Sequence, residues 1–386
     1  MKKKIRVLHV LPSCSRQAGG LFYSVKGLAS ALAKLGIDIF VICGEDDFSE
    51  EDILTWPENV RPILTKKYRP YSFSFMPNLI SEIERVDPDI IHVHGVWSFH
   101  AWAAVKWAEK NTLRRLVVSP RGMFDEHAMQ LSRVKKAVAR FFYVDKLNHR
   151  CDLFHALNLS ESLSIRKLVS EHALITAIPN GVDSFNIKKK LALKPGAIDG
   201  ISIVFLGRIH PKKGLEDFLL ALPQVVAVRS VFVSIAGWGQ EKYINGLKKL
   251  VIELGVSDYV EFCGSKYGAD KLDFLNNAQI FVLPSYSEGL PMAVLEAWQA
   301  GVYTLISREC NFGNLEDLSF ALEIDHDPNN IALNLIRAVD NITNNNAQAL
   351  SIDAQRHVLH NFSWDNIAAK LNEQYLQILG DLHNER

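Results

Sequence analysis

Two glutamates, Glu288 and Glu296, bracket the run Ser287-Glu288-Gly289-Leu290-Pro291-Met292-Ala293-Val294-Leu295-Glu296. The run follows the apolar segment Phe281-Val282-Leu283-Pro284-Ser285, so it reads as a loop entering a helix at the carboxyl end of a strand. Carboxylates accept well from vicinal sugar hydroxyls, and backbone N–H groups at a helix start can hold phosphate oxygens. Two glutamates at this spacing are common by chance; their place after a strand is what singles them out. Gly207-Arg208 and Pro211-Lys212-Lys213-Gly214 follow another apolar segment. Arg208, with its planar fork, and Lys213, as a point charge, would clamp a diphosphate there, or form a solvated basic loop. Gly19-Gly20 follows the first apolar segment and opens a helix, which admits a phosphate to the backbone or simply turns the chain. The pair is not G-x-G-x-x-G, so the dinucleotide fingerprint is absent.

Other residues invite a metal. His92 and His94 share one strand face with His100 close by, but no acidic or cysteine ligand has matching spacing. Asp87-Pro88-Asp89 precedes a strand and Asp325-His326-Asp327 sits in a late loop, so both read as turns. Trp238, between two glycines, reads as packing or a wall. Residues 133–150 carry six Lys/Arg against one Asp, interleaved with Val134, Val138, Phe141, Phe142 and Leu147. With Lys66-Lys67-Tyr68-Arg69 they would touch an anionic membrane, or form a domain helix whose basic face is solvated. On either reading Phe141-Phe142 is expected to be buried on one side.

These residues must be positioned by regular elements. Strand-length apolar runs (Ile5–Leu11, Ile37–Cys43, Asp89–His94, Arg115–Ser119, Leu153–Leu157, Ala173–Ile178) alternate with helical patterns (Gly20–Leu35, Ala101–Lys110, Arg133–Arg150). Such alternation predicts a parallel sheet covered on both faces. Asn186–Gly200 reads as a linker. The alternation then restarts with strands at Ser202–Leu206, Val231–Ala236, Val260–Cys263, Ile280–Leu283 and Val302–Ile306. Helices are expected at Leu215–Ala227, Lys242–Leu254, Ala269–Asn277 and Met292–Ala300. A last helix begins at Trp364 behind Ser363. The organisation expected is an N-terminal Rossmann-like domain over 1–185, a linker over 186–200, a second over 201–362, and a terminal helix over 363–386. Two open α/β domains in series predict a cleft at the carboxyl ends of their strands.

Composition bounds the rest. The 386 residues are 48% hydrophobic and 22% charged, which excludes a disordered chain, a collagen-like repeat and a coiled coil. Lys+Arg and Asp+Glu are 43 each, so no overall charge argues for nucleic acid. Residues 1–185 hold 25 basic and 20 acidic side chains, net +5, which leaves 18 and 23, net −5, for the remainder. Cys14, Cys43, Cys151, Cys263 and Cys310 are odd in number and widely spaced, which fits a reducing cytoplasm. No apolar run approaches the ~18 residues of a membrane span. Lys2–Lys4 before an apolar stretch ending near Cys14 imitates a lipoprotein signal, but Arg6 and His9 interrupt it, and a buried strand is expected.

The 287–296 run resembles the E-x7-E signature of the retaining, nucleotide-sugar-dependent glycosyltransferases with the GT-B fold (group 1, family 4). Further marks fit in order: Gly19-Gly20, Ile91-His92-Val93-His94-Gly95, Ile178-Pro179-Asn180-Gly181-Val182-Asp183, Gly207-Arg208 with Lys212-Lys213-Gly214, Ala236-Gly237-Trp238-Gly239, Phe262-Cys263-Gly264 and Phe362-Ser363-Trp364. The resemblance implies that Gly19 and Gly20 approach the donor diphosphate or sugar, that Arg208 and Lys213 neutralise the leaving diphosphate, and that Glu288 meets donor-sugar hydroxyls. It further implies that Gly289 and Leu290 present N–H groups, that Glu296 takes the ribose hydroxyls, and that Gly264 borders the base. It implies retention by front-face attack, with no glutamate nucleophile, no cofactor and no metal. The chain departs from many members at Ser119-Pro120-Arg121-Gly122-Met123, where Arg121 stands for a histidine; this run resembles a subgroup of bacterial polysaccharide enzymes. Arg121 would contact the donor sugar or the acceptor phosphate but cannot act as a base; His94, Trp97 and His127 are the other candidates beside the sugar.

The expectation is thus a GT-B enzyme of two doubly wound Rossmann-like domains facing a central cleft. It would move sugar from a UDP- or GDP-linked donor to a lipid-diphosphate-linked or oligosaccharide acceptor in bacterial surface polysaccharide assembly. It would work in the cytoplasm or at the inner face of the membrane, with a peripheral anionic-membrane contact through 133–150 and no nucleic acid. The alternatives are a sugar-nucleotide epimerase of related fold and a binding subunit that has lost catalysis.

Overall fold

The computed structural model describes residues 4–130, 132–169, 173–183, 200–344 and 347–384. The linker expected at 186–200 lies outside them, Gly200 excepted. The chain divides into two units, Met1–Gly181 with Trp364–Arg386, and Val182–Ser363.

The first unit holds β1 (Arg6–Leu11), β2 (Asp38–Gly44), β3 (Ile63–Thr65), β4 (Ile90–His94), β5 (Arg115–Ser119), β6 (Leu153–Ala156) and β7 (Ile175–Ala177). They form one sheet in the order β3-β2-β1-β4-β5-β6-β7, with every pair parallel. Its helices are α1 (Gly20–Lys34), α2 (Ser49–Asp52), α3 (Leu79–Val86), α4 (Phe99–Lys110), α5 (Glu126–Gln130), α6 (Arg133–Ala139), α7 (Asp145–Arg150) and α8 (Leu159–Arg166). The second unit holds β8 (Ile201–Leu206), β9 (Val231–Ala236), β10 (Val260–Gly264), β11 (Ile280–Leu283), β12 (Tyr303–Ser307) and β13 (Ala321–Ile324). Their order is β10-β9-β8-β11-β12-β13, again all parallel. Its helices are α9 (Leu215–Val226), α10 (Glu241–Glu253), α11 (Gly268–Asn276), α12 (Met292–Gln299), α13 (Pro328–Asn344) and α14 (Ala347–Phe362); α15 (Trp364–Asn384) closes the chain within the first unit. Both units are doubly wound Rossmann-like sheets, as the alternation of apolar runs and helices predicted.

The two faces of the first sheet differ in chemistry. Leu8, Val10, Ile91, Val93, Leu116, Val118 and Phe154 pack with Leu79, Ile83, Val105, Trp107 and Leu147 from α3, α4 and α7 in an apolar core. Alternation along the strands places His9, His92, His94 and His155 on the opposite face, where Tyr375 of α15 meets His92. Helix α15 packs on α1 at Gly27, where any Cβ would run into the Trp364 indole, so only glycine lets the two helices close.

Residues 133–150 are helical throughout, as expected, with α6 and α7 flanking a π-helical turn, Arg140–Val144. One expectation there fails. Phe141 and Phe142 are not buried on one side but 80% and 62% exposed, because Tyr143, Val144 and Leu147 occupy the inward face instead.

Candidate active site

In the second sheet the order reverses between β8 and β11, the switch point at which open α/β sheets hold ligands. The loops leaving the carboxyl ends of these two strands touch. Gly214 (φ +67°) ends the turn Pro211–Lys213 and caps α9, and a Cβ there would collide with the Pro284 carbonyl. Glycine alone permits that approach, and Tyr286 N–H donates to the Lys212 carbonyl at 2.8 Å across it. The consequence is an ion pair between Lys213 and Glu288, with Ser285 Oγ donating to Glu288 at 2.7 Å. Glu288 is 9% exposed. Burial opposes its charge, but Lys213 and Lys212 beside it, with the bonds from Lys213 and Ser285, hold its carboxyl below the ordinary value. Cys310 lies next to it, its thiol pushed up by burial and by the Glu288 charge.

The other expected donor-side residues stand on separate elements of the same unit. Glu296 stands in α12 and receives Lys271 Nζ from α11 at 2.7 Å. Arg208 is exposed, its guanidinium 5.8 Å from the centre of the Trp238 ring. Gly264 (φ +69°) ends β10, and its carbonyl accepts from Gly237 N–H at 2.8 Å. In the loop before α12, Asn311 Nδ2 donates to the Glu288 carbonyl at 2.7 Å and contacts that of Gly289 at 3.2 Å, and Leu290 is buried. Ser285, Lys271 and Cys310 were not singled out in the sequence; their types are too common to stand out without the loops' closure.

In the first unit Gly19 (φ +59°) precedes α1, with Gly20 its first residue. The turn Arg16–Ala18 before it is held by Ser15 Oγ accepting from Gln17 N–H at 3.1 Å. Ser15 and Ser13 both donate to Asp46 beyond β2, with Lys67 at 3.9 Å. Burial opposes the Asp46 charge, yet these donors hold its carboxyl below the ordinary value.

The histidines form a buried layer rather than an open site. His94 is fully buried, and Arg121 Nη2 donates to its Nδ1 at 3.0 Å. Because Arg121 can only donate, a neutral His94 carries its proton on Nε2 and donates it to His9 Nδ1 at 2.8 Å. His9 then carries its own proton on Nε2, which has no partner. A second chain runs the other way. His155 Nε2 donates to the Ile178 carbonyl at 2.8 Å, and its Nδ1 faces His92 Nε2 at 3.4 Å. His92 Nδ1 accepts from Tyr375 Oη at 2.6 Å. Burial, with Arg121 adding, lowers His9 and His155 to about 3 and His92 and His94 well below their usual range. Arg121, lowered to about 10 by burial, also donates to Asn180 Oδ1 at 2.7 Å, while its Nε lacks a partner.

The other residues expected beside a sugar are placed as follows. His94 is locked in the layer rather than presented to solvent. Trp97 donates to the Met123 carbonyl at 3.3 Å and carries Lys136 Nζ 5.2 Å from its ring centre. His127 falls in α5 with its side chain outside the described residues. His100 bonds the His94 and Gly95 carbonyls, and His9 takes its place in the cluster, since β1 pairs with β4 in the register His9↔His92. Ligand atoms of His9, His92 and His94 lie within 4.8 Å of one another. A divalent metal does not fit them: the lone pairs of His94 Nδ1 and His9 Nδ1 are taken by N–H groups of Arg121 and His94, and the Arg121 cation sits against His94. The Asp pairs are engaged locally. Asp87 and Asp89 bind Arg114, and Asp325 and Asp327 accept Asp327 and Asn329 N–H groups at the start of α13.

Residues 188–356 match the family model described as glycosyl transferases group 1, and residues 18–184 match that of glycosyltransferase family 4. The chain is a group 1 glycosyltransferase with the GT-B fold. This glycosyltransferase is 24% identical to an uncharacterised glycosyltransferase of Methanocaldococcus jannaschii, over 93% of its own length and 95% of the relative's. It is also 24% identical to a GDP-mannose:cellobiosyl-diphosphopolyprenol alpha-mannosyltransferase of Komagataeibacter xylinus, over 97% and 94%. Among solved structures, Anabaena HepE in complex with UDP and glucose superposes with a TM-score of 0.79 at 16% identity, covering 97% of this glycosyltransferase and 100% of that chain.

Proposed function

We propose that this glycosyltransferase moves a sugar, with retention, from a UDP- or GDP-linked donor to a lipid-diphosphate-linked saccharide in bacterial surface polysaccharide assembly. The observation that carries the reading is the Lys213–Glu288–Ser285 cluster at the switch point of the second sheet. Breaking a sugar–phosphate bond builds negative charge on the leaving diphosphate and positive charge at the anomeric carbon. Lys213 and Arg208 neutralise the first. Glu288, kept ionised by Lys213, accepts from the sugar hydroxyls and stabilises the second. Glu296 takes the ribose hydroxyls, steadied by Lys271, and Gly264 borders the base. Gly19 and Gly20 at the start of α1 meet the diphosphate or the sugar from the first domain. Arg121 works through His94 and Asn180, as an ordering group rather than a base. The lipid-linked acceptor is supported by the relative named for a diphosphopolyprenol acceptor, and the nucleotide donor by the neighbour solved with UDP. No metal takes part in this scheme, and the site of action is the cytoplasmic side of the membrane.

The test is thermal shift against UDP, GDP, ADP and their sugar conjugates, with and without EDTA, because a ligand that binds only the folded state raises the melting temperature. A shift with one nucleotide, unchanged by EDTA, followed by transfer to a diphosphopolyprenol saccharide, supports the reading. Conversion of the donor with no acceptor present replaces it with an epimerase. Tight donor binding with no turnover on any acceptor replaces it with a binding subunit.

A further inference from the structure

The segment from α6 through the π-helical turn to α7 is apolar on two opposite faces. Its inner face is accounted for: Tyr143, Val144 and Leu147 are buried in the domain, and Tyr143 lies against Phe73, ring centres 6.3 Å apart. The outer face is not. Val134, Val138 and Phe141 recur at i, i+4 and i+7 with Phe142 beside them, and they are 79%, 51%, 80% and 62% exposed. Phe141 and Phe142 stack edge to face on each other, 5.3 Å apart, in the open. A helix apolar on both sides is ordinarily covered on both sides. Among the described residues of this unit nothing covers the second.

The charges around the stripe say what would. Residues 127–144 contain four Lys/Arg and no Asp or Glu. Arg133, Lys135 and Arg140 are exposed and, at helical spacing, flank the stripe on its two edges. Arg140 is bonded to Asp145 at 3.2 Å, the first acid after the stripe in the chain. Aromatic rings on an apolar ridge, rimmed by cations and without acids, match an anionic bilayer: the rings enter the headgroup boundary while the cations stay at the phosphates.

We propose that this face is a membrane-docking surface that inserts Phe141 and Phe142 into an anionic lipid bilayer lying against α6. It goes beyond the transfer reaction and stands on the exposure and charge of this face, so it holds whatever donor the second domain takes. Docking would present the first domain to a lipid-linked acceptor in the plane where such a molecule lies. No helix among the described residues is long and apolar enough to cross a membrane, so attachment here would be peripheral.

The experiment is flotation of the full chain with vesicles of phosphatidylcholine alone and of phosphatidylcholine with about a third phosphatidylglycerol, at low and high salt. Wild type is expected to float with the anionic vesicles only and to be released by salt. Phe141→Ser with Phe142→Ser, and separately Arg133→Glu with Lys135→Glu, should each lower the bound fraction about tenfold or more. Melting temperature and nucleotide binding of each variant, read in solution, check that the fold and the donor site are intact. Absence of nucleotide binding by wild type itself counts against the functional reading and leaves the flotation result to judge this one. The proposal is overturned if wild type does not float with anionic vesicles, or if the double Phe variant floats as well as wild type. It is equally overturned if wild type is a dimer whose association the Phe variant abolishes, since a second copy then covers the face.

Discussion

Acidification should loosen the first domain before the second. His9, His100 and His155 are at most 1% exposed, with pKa values lowered from 6.5 to about 3, 4 and 3. A lowered pKa means the unfolded chain binds protons that the folded one refuses. The stability tied to these groups is therefore complete above pH 6.5 and is lost as pH falls toward 3. Between pH 7.5 and 5.5 each group shifts the balance by about 1.4 kcal/mol, so the three together remove about 4 kcal/mol. His92 and His94 act in the same direction. Glu161, pushed up by burial, acts the other way. Against the roughly 5–15 kcal/mol of a typical domain the loss is large. The assay is native-state hydrogen exchange at the two pH values, corrected for the intrinsic rate, comparing amides of β1 and β4 with those of β8 and β11. The opening free energy of β1 and β4 should fall by several kcal/mol while that of β8 and β11 stays nearly constant. A fall of less than about 1 kcal/mol in β1 and β4, or an equal fall in both sheets, refutes the neutral-histidine account.

Other outcomes follow from single contacts. Glu288→Gln keeps the shape and the Ser285 bond but removes the charge and leaves Lys213 unpaired, so turnover of the folded variant should fall at least ~100-fold in a transfer assay, with a lowered melting temperature. Lys271→Met removes the cation beside Glu296, and titration calorimetry should show nucleotide affinity weakened about tenfold. Gly214→Ala forces a Cβ toward the Pro284 carbonyl at positive φ; denaturant titration should show a loss of roughly 2 kcal/mol or more. Gly27→Ala wedges α1 from the Trp364 ring, so α15 should become accessible to protease while the melting of the second domain is unchanged.

Much of the fold was legible because buried parallel strands leave near-continuous apolar runs, unbroken in Ile280–Leu283 and interrupted only by His9 in Val7–Leu11. What escaped had weaker signals. β3 is three residues long, and β13 shows a mixed burial pattern at a sheet edge. Helices α13 and α14 flank the Asn344-Asn345-Asn346 run, whose polarity suggested only a break. At the candidate site, spacing drew attention to Glu288, Glu296, Arg208 and Lys213 but could not reveal their partners. Lys213 reaches Glu288 only because Gly214 lets its loop close on Pro284. His9 escaped because its relation to His92 is a strand register across 83 positions, which no local pattern encodes. Phe141 and Phe142 misled the reading because an amphipathic pattern does not say which of two apolar faces the domain uses.

The return of α15 to the first domain has a consequence for synthesis. The second domain is an insertion in the first, entered at Val182 and left at Ser363, two residues that pair with each other. During translation the inserted domain can close once residue 363 has emerged. The domain that began first must wait for Trp364 to reach Gly27 and Tyr375 to reach His92 before its histidine layer is sealed. Domains usually complete from the amino terminus onward; here the order is inverted, and the earliest strands made are the last to be finished.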